Sequence, residues 1–227
     1  MKFLITNDDG IGAPGIEMLE QIVRTFGTTV VVAPQQPQSG VGHRVTTHEP
    51  ITVQRDGDNR YALDGTPADC ARIGLKNICP DTDWLISGIN PGANLGSDIY
   101  QSGTAAAARE AAILGYPAIA VSQYISKGNT VDWDCTAHHA GVVLSWLLNL
   151  RPEPGSFWNV NLPHPLTIDQ DLSHQYCDLD PNPHNYVYEQ NGSVYHYVGS
   201  IHERPYDPGR DVSVCFGGQI SISLVAL

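Results

Sequence analysis

Two adjacent carboxylates, Asp8 and Asp9, follow the short apolar run Phe3-Leu4-Ile5 and precede a glycine-rich turn, Gly10-Ile11-Gly12-Ala13-Pro14-Gly15. Paired acids at the end of a buried strand repel each other and lose hydration, so they call for a positive centre. Two further oxygen donors fall at comparable places. Asn90 follows the apolar stretch Trp84 to Ser87, and Ser39 lies in the loop after Val30 to Ala33. In a doubly wound sheet, ligands collect outside the carboxyl ends of the strands. An all-oxygen set of Asp8, Asp9, Ser39 and Asn90 suits one divalent cation, Mg²⁺, Mn²⁺ or Ca²⁺, rather than zinc.

A second feature points to an anion. Ser102-Gly103-Thr104 opens an alanine-rich helix, and a helix N-terminus with small side chains attracts negative groups. Gly92, Gly96 and Gly103 permit close backbone approach. A metal beside an anion-binding helix end argues for phosphoryl chemistry. In this reading Asp8 and Asp9 carry catalysis as well as metal. His43, near the Ser39 loop, suits an acid/base role or a phosphate contact.

Rival readings exist for each feature. Gly10-x-Gly12-x-x-Gly15 has the strand–turn–helix context of a dinucleotide fingerprint, which would make the chain a nucleotide-binding module without catalysis. Against it, Ala33-Pro34-Gln35 offers no acid for a ribose, Pro14 removes an amide, and Asp8 and Asp9 would repel a pyrophosphate. Asp8 or Asp9 could instead cap the first helix, and Ser102 or Thr104 the alanine-rich one. No Gly-x-Ser-x-Gly elbow is present. His138 and His139 fall in a long helical segment as surface or core residues. His164, His174, His184, His196 and His202 fall in a polar tail, where solvation is the plainer expectation.

The elements that must position these residues are legible as a pattern. Strands are expected at residues 2–6, 30–33, 84–87, 117–122 and 157–161. Helices are expected at 15–26, 67–78 (with a capping box from Thr66 and Asp69), 103–115 and 134–150. This alternation predicts a Rossmann-like α/β fold, a three-layer core around a mostly parallel sheet. Residues 43–64 read as a β-hairpin excursion off that sheet. Residues 164–211 read as irregular, with a hairpin pairing Tyr186–Tyr188 with Tyr195–Val198, and residues 219–224 alternate as a final strand. The expected organisation is one domain: a catalytic core over 1–163 and a β-rich extension over 164–227 that closes the pocket and serves dimerisation.

Composition narrows the partners. The 227 residues carry 12 Lys and Arg against 24 Asp and Glu, a net charge of -12, with no basic run for binding a nucleic-acid duplex. Five cysteines are scattered without a CxxC pair, as expected of free thiols in a reducing compartment. No apolar run approaches a membrane span and no signal peptide is apparent, so the expectation is cytoplasmic.

Taken together, these segments resemble the SurE family, the stationary-phase survival proteins. The match runs through Thr6-Asn7-Asp8-Asp9-Gly10-Ile11, Ala13-Pro14-Gly15-Ile16, Val31-Val32-Ala33-Pro34, Ser39-Gly40 and Gly65-Thr66-Pro67-Ala68-Asp69-Cys70. It continues through Ser87 to Gly96, Ser102-Gly103-Thr104 and Asn159-Val160-Asn161-Leu162-Pro163. The resemblance implies a metal-dependent nucleotidase that hydrolyses nucleoside 5′- and 3′-monophosphates and trims short polyphosphate. It implies a divalent cation on Asp8, Asp9, Ser39 and Asn90, and a phosphate among Asn94, Ser102, Gly103 and Thr104. It also implies a homodimer, with tetramers in some members. Departures are Gln101 where a Tyr is usual, an uncharged loop Gln35-Gln36-Pro37-Gln38, and an ending at Leu227 without a helical tail.

Overall fold

Strand β1 (Lys2–Thr6) is apolar on both faces. Phe3 and Ile5 enter one buried cluster and Leu4 the other. Such a strand belongs in the middle of a sheet with helices on both sides. In the computed structural model, which describes residues 1–200 and 202–227, β1 pairs in parallel with β2 (Thr28–Pro34) on one side and β5 (Trp84–Pro91) on the other. Beyond β5 come β6 (Ala118–Gln123) and β7 (Ser156–Leu162), also parallel.

Four helices cover this sheet. Ile16, Leu19 and Val23 of α1 (Pro14–Val23) join Val143, Leu144 and Leu147 of α4 (Trp133–Leu147) against the Phe3 face. Cys70 and Ala71 of α2 (Pro67–Ile73) join the alanines of α3 (Gly103–Ile113) against the Leu4 face. The expected three-layer α/β core is therefore present. The capping box of α2 is also present, with the Thr66 side chain on the Asp69 amide and the Asp69 carboxylate on the Thr66 amide. A π-helical turn, Gly74–Ile78, continues α2 to the expected end.

Several elements differ from the sequence reading. Strands β3 (Val53–Gly57) and β4 (Arg60–Leu63) do not leave the main sheet. β4 pairs in parallel with β2, and the hairpin forms the sheet's edge. Arg60 explains the docking: its guanidinium meets Glu17 and Glu20 of α1 and donates to the Ile11 carbonyl. The strand itself is expected from the sequence; what the sequence does not display is the ion pairing of Arg60 that ties it to α1.

At the other edge, β11 (Ile220–Ala226) runs antiparallel to β7, and the three-residue β8 (His174–Tyr176) pairs with β11. The sheet has nine strands in the order β3-β4-β2-β1-β5-β6-β7-β11-β8. A short helix, α5 (Asp211–Phe216), was not expected. The separate hairpin, β9 (Tyr188–Asn191) with β10 (Val194–Tyr197), is shifted from the predicted register. The two-residue turn Gly192-Ser193 fixes Asn191 opposite Val194, and Gly192 has φ +63°. Turn geometry, not the spacing of tyrosines, sets the register.

The three glycines of the opening turn have separate structural reasons. Gly10 has φ +101°. Gly12 has open space around it, whereas a Cβ on Gly15 would sit 2.0 Å from the Ile89 carbonyl oxygen. Gly15 thus lets α1 lie against β5. Gly15→Ala is expected to destabilise the fold by about 1–3 kcal/mol, lowering Tm by roughly 2–4 °C per kcal/mol. Gly12→Ala should leave Tm near wild type. Equal melting temperatures for the two variants would count against this packing role.

Candidate metal and phosphate site

The chain leaves β1 for β2 on one side and reaches β5 on the other only later, so the gap between β1 and β5 is a topological switch point. Asp8 and Asp9 stand just past β1, and Asn90 is near the end of β5. Asn7, fully buried, builds the turn: its Nδ2 donates to the Gly10 carbonyl at 3.0 Å and its Oδ1 accepts from the Gly10 amide at 3.2 Å. The Asp8 carbonyl accepts from the Gln38 amide at 2.7 Å, which fastens the Ser39 loop to the same turn. Neither acid caps α1, whose N-cap is Ala13 with no side-chain bond.

A cavity of about 340 Å³ opens here, and Asp8, Asp9, Ser39, Asn90, Asn94 and Ser102 all line it. Gly103 and Thr104 lie behind Asp8. The Thr104 hydroxyl donates to Asp8 Oδ1, and a Cβ on Gly103 would come within 2.6 Å of Asp8 Cβ. Ser102 caps α3, accepting from the Ala105 amide at 3.0 Å. The capping alternative therefore holds for Ser102, while Thr104 serves Asp8.

His43 is held apart from this group. It does not line the cavity, and its Nε2 is 2.7 Å from Glu110 Oε2. Glu110, almost fully buried, also accepts from Arg72 Nε at 2.6 Å. Burial pushes the Glu110 carboxyl up, but the bonds from His43 and Arg72 outweigh it and hold it below its usual range.

The carboxylate pair is electrostatically unbalanced. Burial, then the charge of Asp8, pushes Asp9 up to about 7. Burial also raises Asp8, against the opposing bond from Thr104 and the Asp8 and Gly103 amides. Asp9 Oδ2 is buried with no hydrogen-bond partner among the described residues. Asn90 commits its Nδ2 to the Gly92 carbonyl at 2.6 Å, which leaves Oδ1 as its donor atom toward a cation. Two acids with one orphaned oxygen, beside a neutral hydroxyl and an amide oxygen, fit a hard divalent cation.

Residues with no role in the sequence reading hold the site in shape. Asn159 and Asn161, both fully buried on β7, donate to the Asn94 carbonyl at 2.9 and 3.1 Å. Asn161 Oδ1 also accepts from the Asn94 amide at 2.8 Å, and Asn94 Nδ2 donates to Ser122 Oγ at 2.7 Å. Two polar residues alternating with Val160 inside a buried strand were the available signal. Asp211 binds the Gly96 and Asp180 amides at 2.7 Å each. Asp98 and Arg204 pair at 2.7 Å. The Asp211–Gly96 and Asp98–Arg204 contacts fasten the tail to the loop that follows β5. Of the tail histidines, His174 and His196 are exposed as expected, while His184 and His202 meet other parts of the fold. His184 Nε2 lies 2.9 Å from Asp98 Oδ1, and His202 Nδ1 is 2.7 Å from the Tyr124 hydroxyl.

The family model described as "Survival protein SurE" matches residues 3–181. A "Putative 5'-nucleotidase alr3139" from Synechocystis is 48% identical over 223 residues, 98% of each chain. A "5'-nucleotidase SurE" from Paramagnetospirillum magneticum is 38% identical, covering 98% of this chain and 88% of that one. The crystal structure titled as Sure protein from Aquifex aeolicus superposes with a TM-score of 0.87 at 30% identity, covering 100% of this chain and 93% of that one. With its paired aspartates at the switch point and its match over most of its length, the chain belongs to the SurE family.

Proposed function

We propose that this protein is a divalent-metal-dependent phosphomonoesterase that hydrolyses nucleoside 5′-monophosphates, and also 3′-monophosphates, to nucleoside and phosphate. The observation that carries it is the unbalanced pair Asp8 and Asp9 in an all-oxygen cavity at the N-terminus of α3. Relatives named as 5'-nucleotidases support the substrate class. Asp8, Asp9, Ser39 and Asn90 would hold one Mg²⁺ or Mn²⁺. When bound, such an ion offsets phosphate charge and polarises the phosphorus–oxygen bonds.

The protein's own groups do the rest. The α3 N-terminus and Asn94 orient the phosphate, because backbone amides and the helix dipole favour an anion there. Thr104 and Gly103 fix Asp8 in one position. Asp8 or Asp9 would orient the attacking water and take its proton. Short polyphosphate, with the same phosphoryl group, is a further substrate of this reading.

We also infer a homodimer. The β9–β10 hairpin is exposed along both strands and carries Tyr188, Val194, Tyr195 and Tyr197, and a lone two-stranded hairpin with such a surface is marginal in water. All five cysteines are free, which supports a cytoplasmic setting. Among the described residues, no helix is long and apolar enough to cross a membrane.

Three outcomes test these readings. Phosphate release from 5′-AMP, 3′-AMP and p-nitrophenyl phosphate should require Mn²⁺ or Mg²⁺, stop with EDTA, and fall roughly 100-fold or more in Asp9→Asn. Turnover that ignores both chelator and mutation would sink the proposal. In EDTA, stability should fall as pH rises from about 4 to 7. The folded Asp9 carboxyl keeps its proton to about 7, whereas the unfolded one loses it near 3.8, so the unfolded state is favoured across that window. Asp9→Asn should flatten this fall and melt above wild type at pH 8 without metal; an unchanged profile contradicts the unbalanced pair. Sedimentation equilibrium should return twice the 24.6 kDa chain mass; a monomer at micromolar concentration would refute the dimer.

A further inference from the structure

Ser39 differs from the two aspartates in how far it acts. Carboxylates draw a cation through charge over several ångströms. A neutral hydroxyl contributes only in contact, at about 2.1 Å for Mg²⁺. Ser39 is therefore the donor whose contribution depends most on position. Its loop is also permissive, because Gly40 and Gly42 both have left-handed backbone, at φ +73° and +60°.

The chain is fastened on either side of this loop. Before it, the Gln38 amide donates to the Asp8 carbonyl. After it, the Arg44 carbonyl accepts from Thr66 Oγ1 at 2.6 Å, and the Thr46 amide and hydroxyl donate to the Asp69 carboxylate at 2.8 Å each. Between these anchors, two bonds reach the rest of the molecule among the described residues. The Gly42 amide donates to the Gln101 carbonyl at 3.1 Å, and His43 meets Glu110.

The second of these is a fixed point. The Glu110 side chain, on α3, is 1% exposed. Arg72 of α2 donates to Oε1 at 2.6 Å, which turns Oε2 to His43 at 2.7 Å. Each oxygen of a buried carboxylate is thus held by a different element. The same helix presents Thr104 to Asp8. α3 therefore sets the place of both Asp8 and the Ser39 loop.

We propose that His43 is a positioning residue for metal binding: gripped by Glu110 and Arg72, it holds the Ser39 loop against the cavity so that Ser39 adds its hydroxyl to Asp8, Asp9 and Asn90. The inference rests on the metal-dependent hydrolase reading above. His43 does not line the cavity, so it acts through the loop and not on the phosphate. Ordering the loop in advance lowers the cost of binding.

The test titrates Mn²⁺ into metal-stripped protein and follows free Mn²⁺ by electron paramagnetic resonance. His43→Ala should raise the Mn²⁺ dissociation constant about 10-fold or more. Its kcat for p-nitrophenyl phosphate at saturating Mn²⁺ should stay near wild type. His43→Gln, whose amide can still donate to Glu110, should recover most of the affinity. Ser39→Ala should itself bind Mn²⁺ more weakly, and adding His43→Ala to it should cost little more, because both act through one donor. His48→Ala, at an exposed position further along the same segment, should change nothing. Should His43→Ala not fold, His43→Leu keeps the volume without the donor and decides in its place. A lower Tm with unchanged Mn²⁺ affinity would make the contact a mere staple and overturn the proposal. A fall in kcat at saturating Mn²⁺ with unchanged affinity overturns it too, and makes His43 a phosphate contact. Additive losses in the double variant overturn the route through Ser39. Wild type that binds Mn²⁺ but releases no phosphate overturns the hydrolase reading alone, since the affinities still decide the role of His43. Wild type that binds no Mn²⁺ overturns both.

Discussion

The repulsion between Asp8 and Asp9 is the constraint around which this fold is arranged. Two buried neighbouring acids are stable together only if one keeps a proton or a cation sits between them. The protein does not relieve the conflict with its own basic residues. Arg60 and Arg72 are committed to Glu17, Glu20 and Glu110, and Arg204 is committed to Asp98. Thr104 steadies Asp8, while Asp9 Oδ2 is left without a partner. The uncompensated charge is thus local and aimed at one cavity in a molecule that is acidic overall.

The scaffold holds that charge in place from three sides. Asn7 and Gly10 close the turn after β1, and the Asp8 carbonyl draws in the Gln38 amide ahead of Ser39. Gly15 lets α1 press against the end of β5, near Asn90. Asn159 and Asn161 grip the backbone of Asn94. Close packing at Gly15 and short hydrogen bonds at the other points turn oxygen donors on separate loops into a preorganised set. Such preorganisation is where a phosphatase gains most of its rate.

Much of this was legible in the residues. The apolar runs, the capping box of Thr66 and Asp69, and the positions of Asp8, Asp9, Ser39 and Asn90 at strand ends follow from local periodicity. The misses have a common cause. β4 is docked by an ion pair between Arg60 and α1, the β9–β10 register is set by Gly192, and His43 turns to Glu110 rather than to the cavity. Each depends on a partner distant in sequence or on a backbone angle that composition does not display. The tail residues Asp211 and Arg204 belong with these: their partners Gly96 and Asp98 are more than 100 positions away.

The most direct measurement is an anomalous difference map from crystals grown with Mn²⁺. The strongest peak is expected within coordination distance of Asp8, Asp9, Ser39 and Asn90, and it should vanish in Asp9→Asn crystals grown the same way. A map with no peak at this cavity, or with manganese bound only elsewhere, would contradict the claim that the paired aspartates exist to hold a metal.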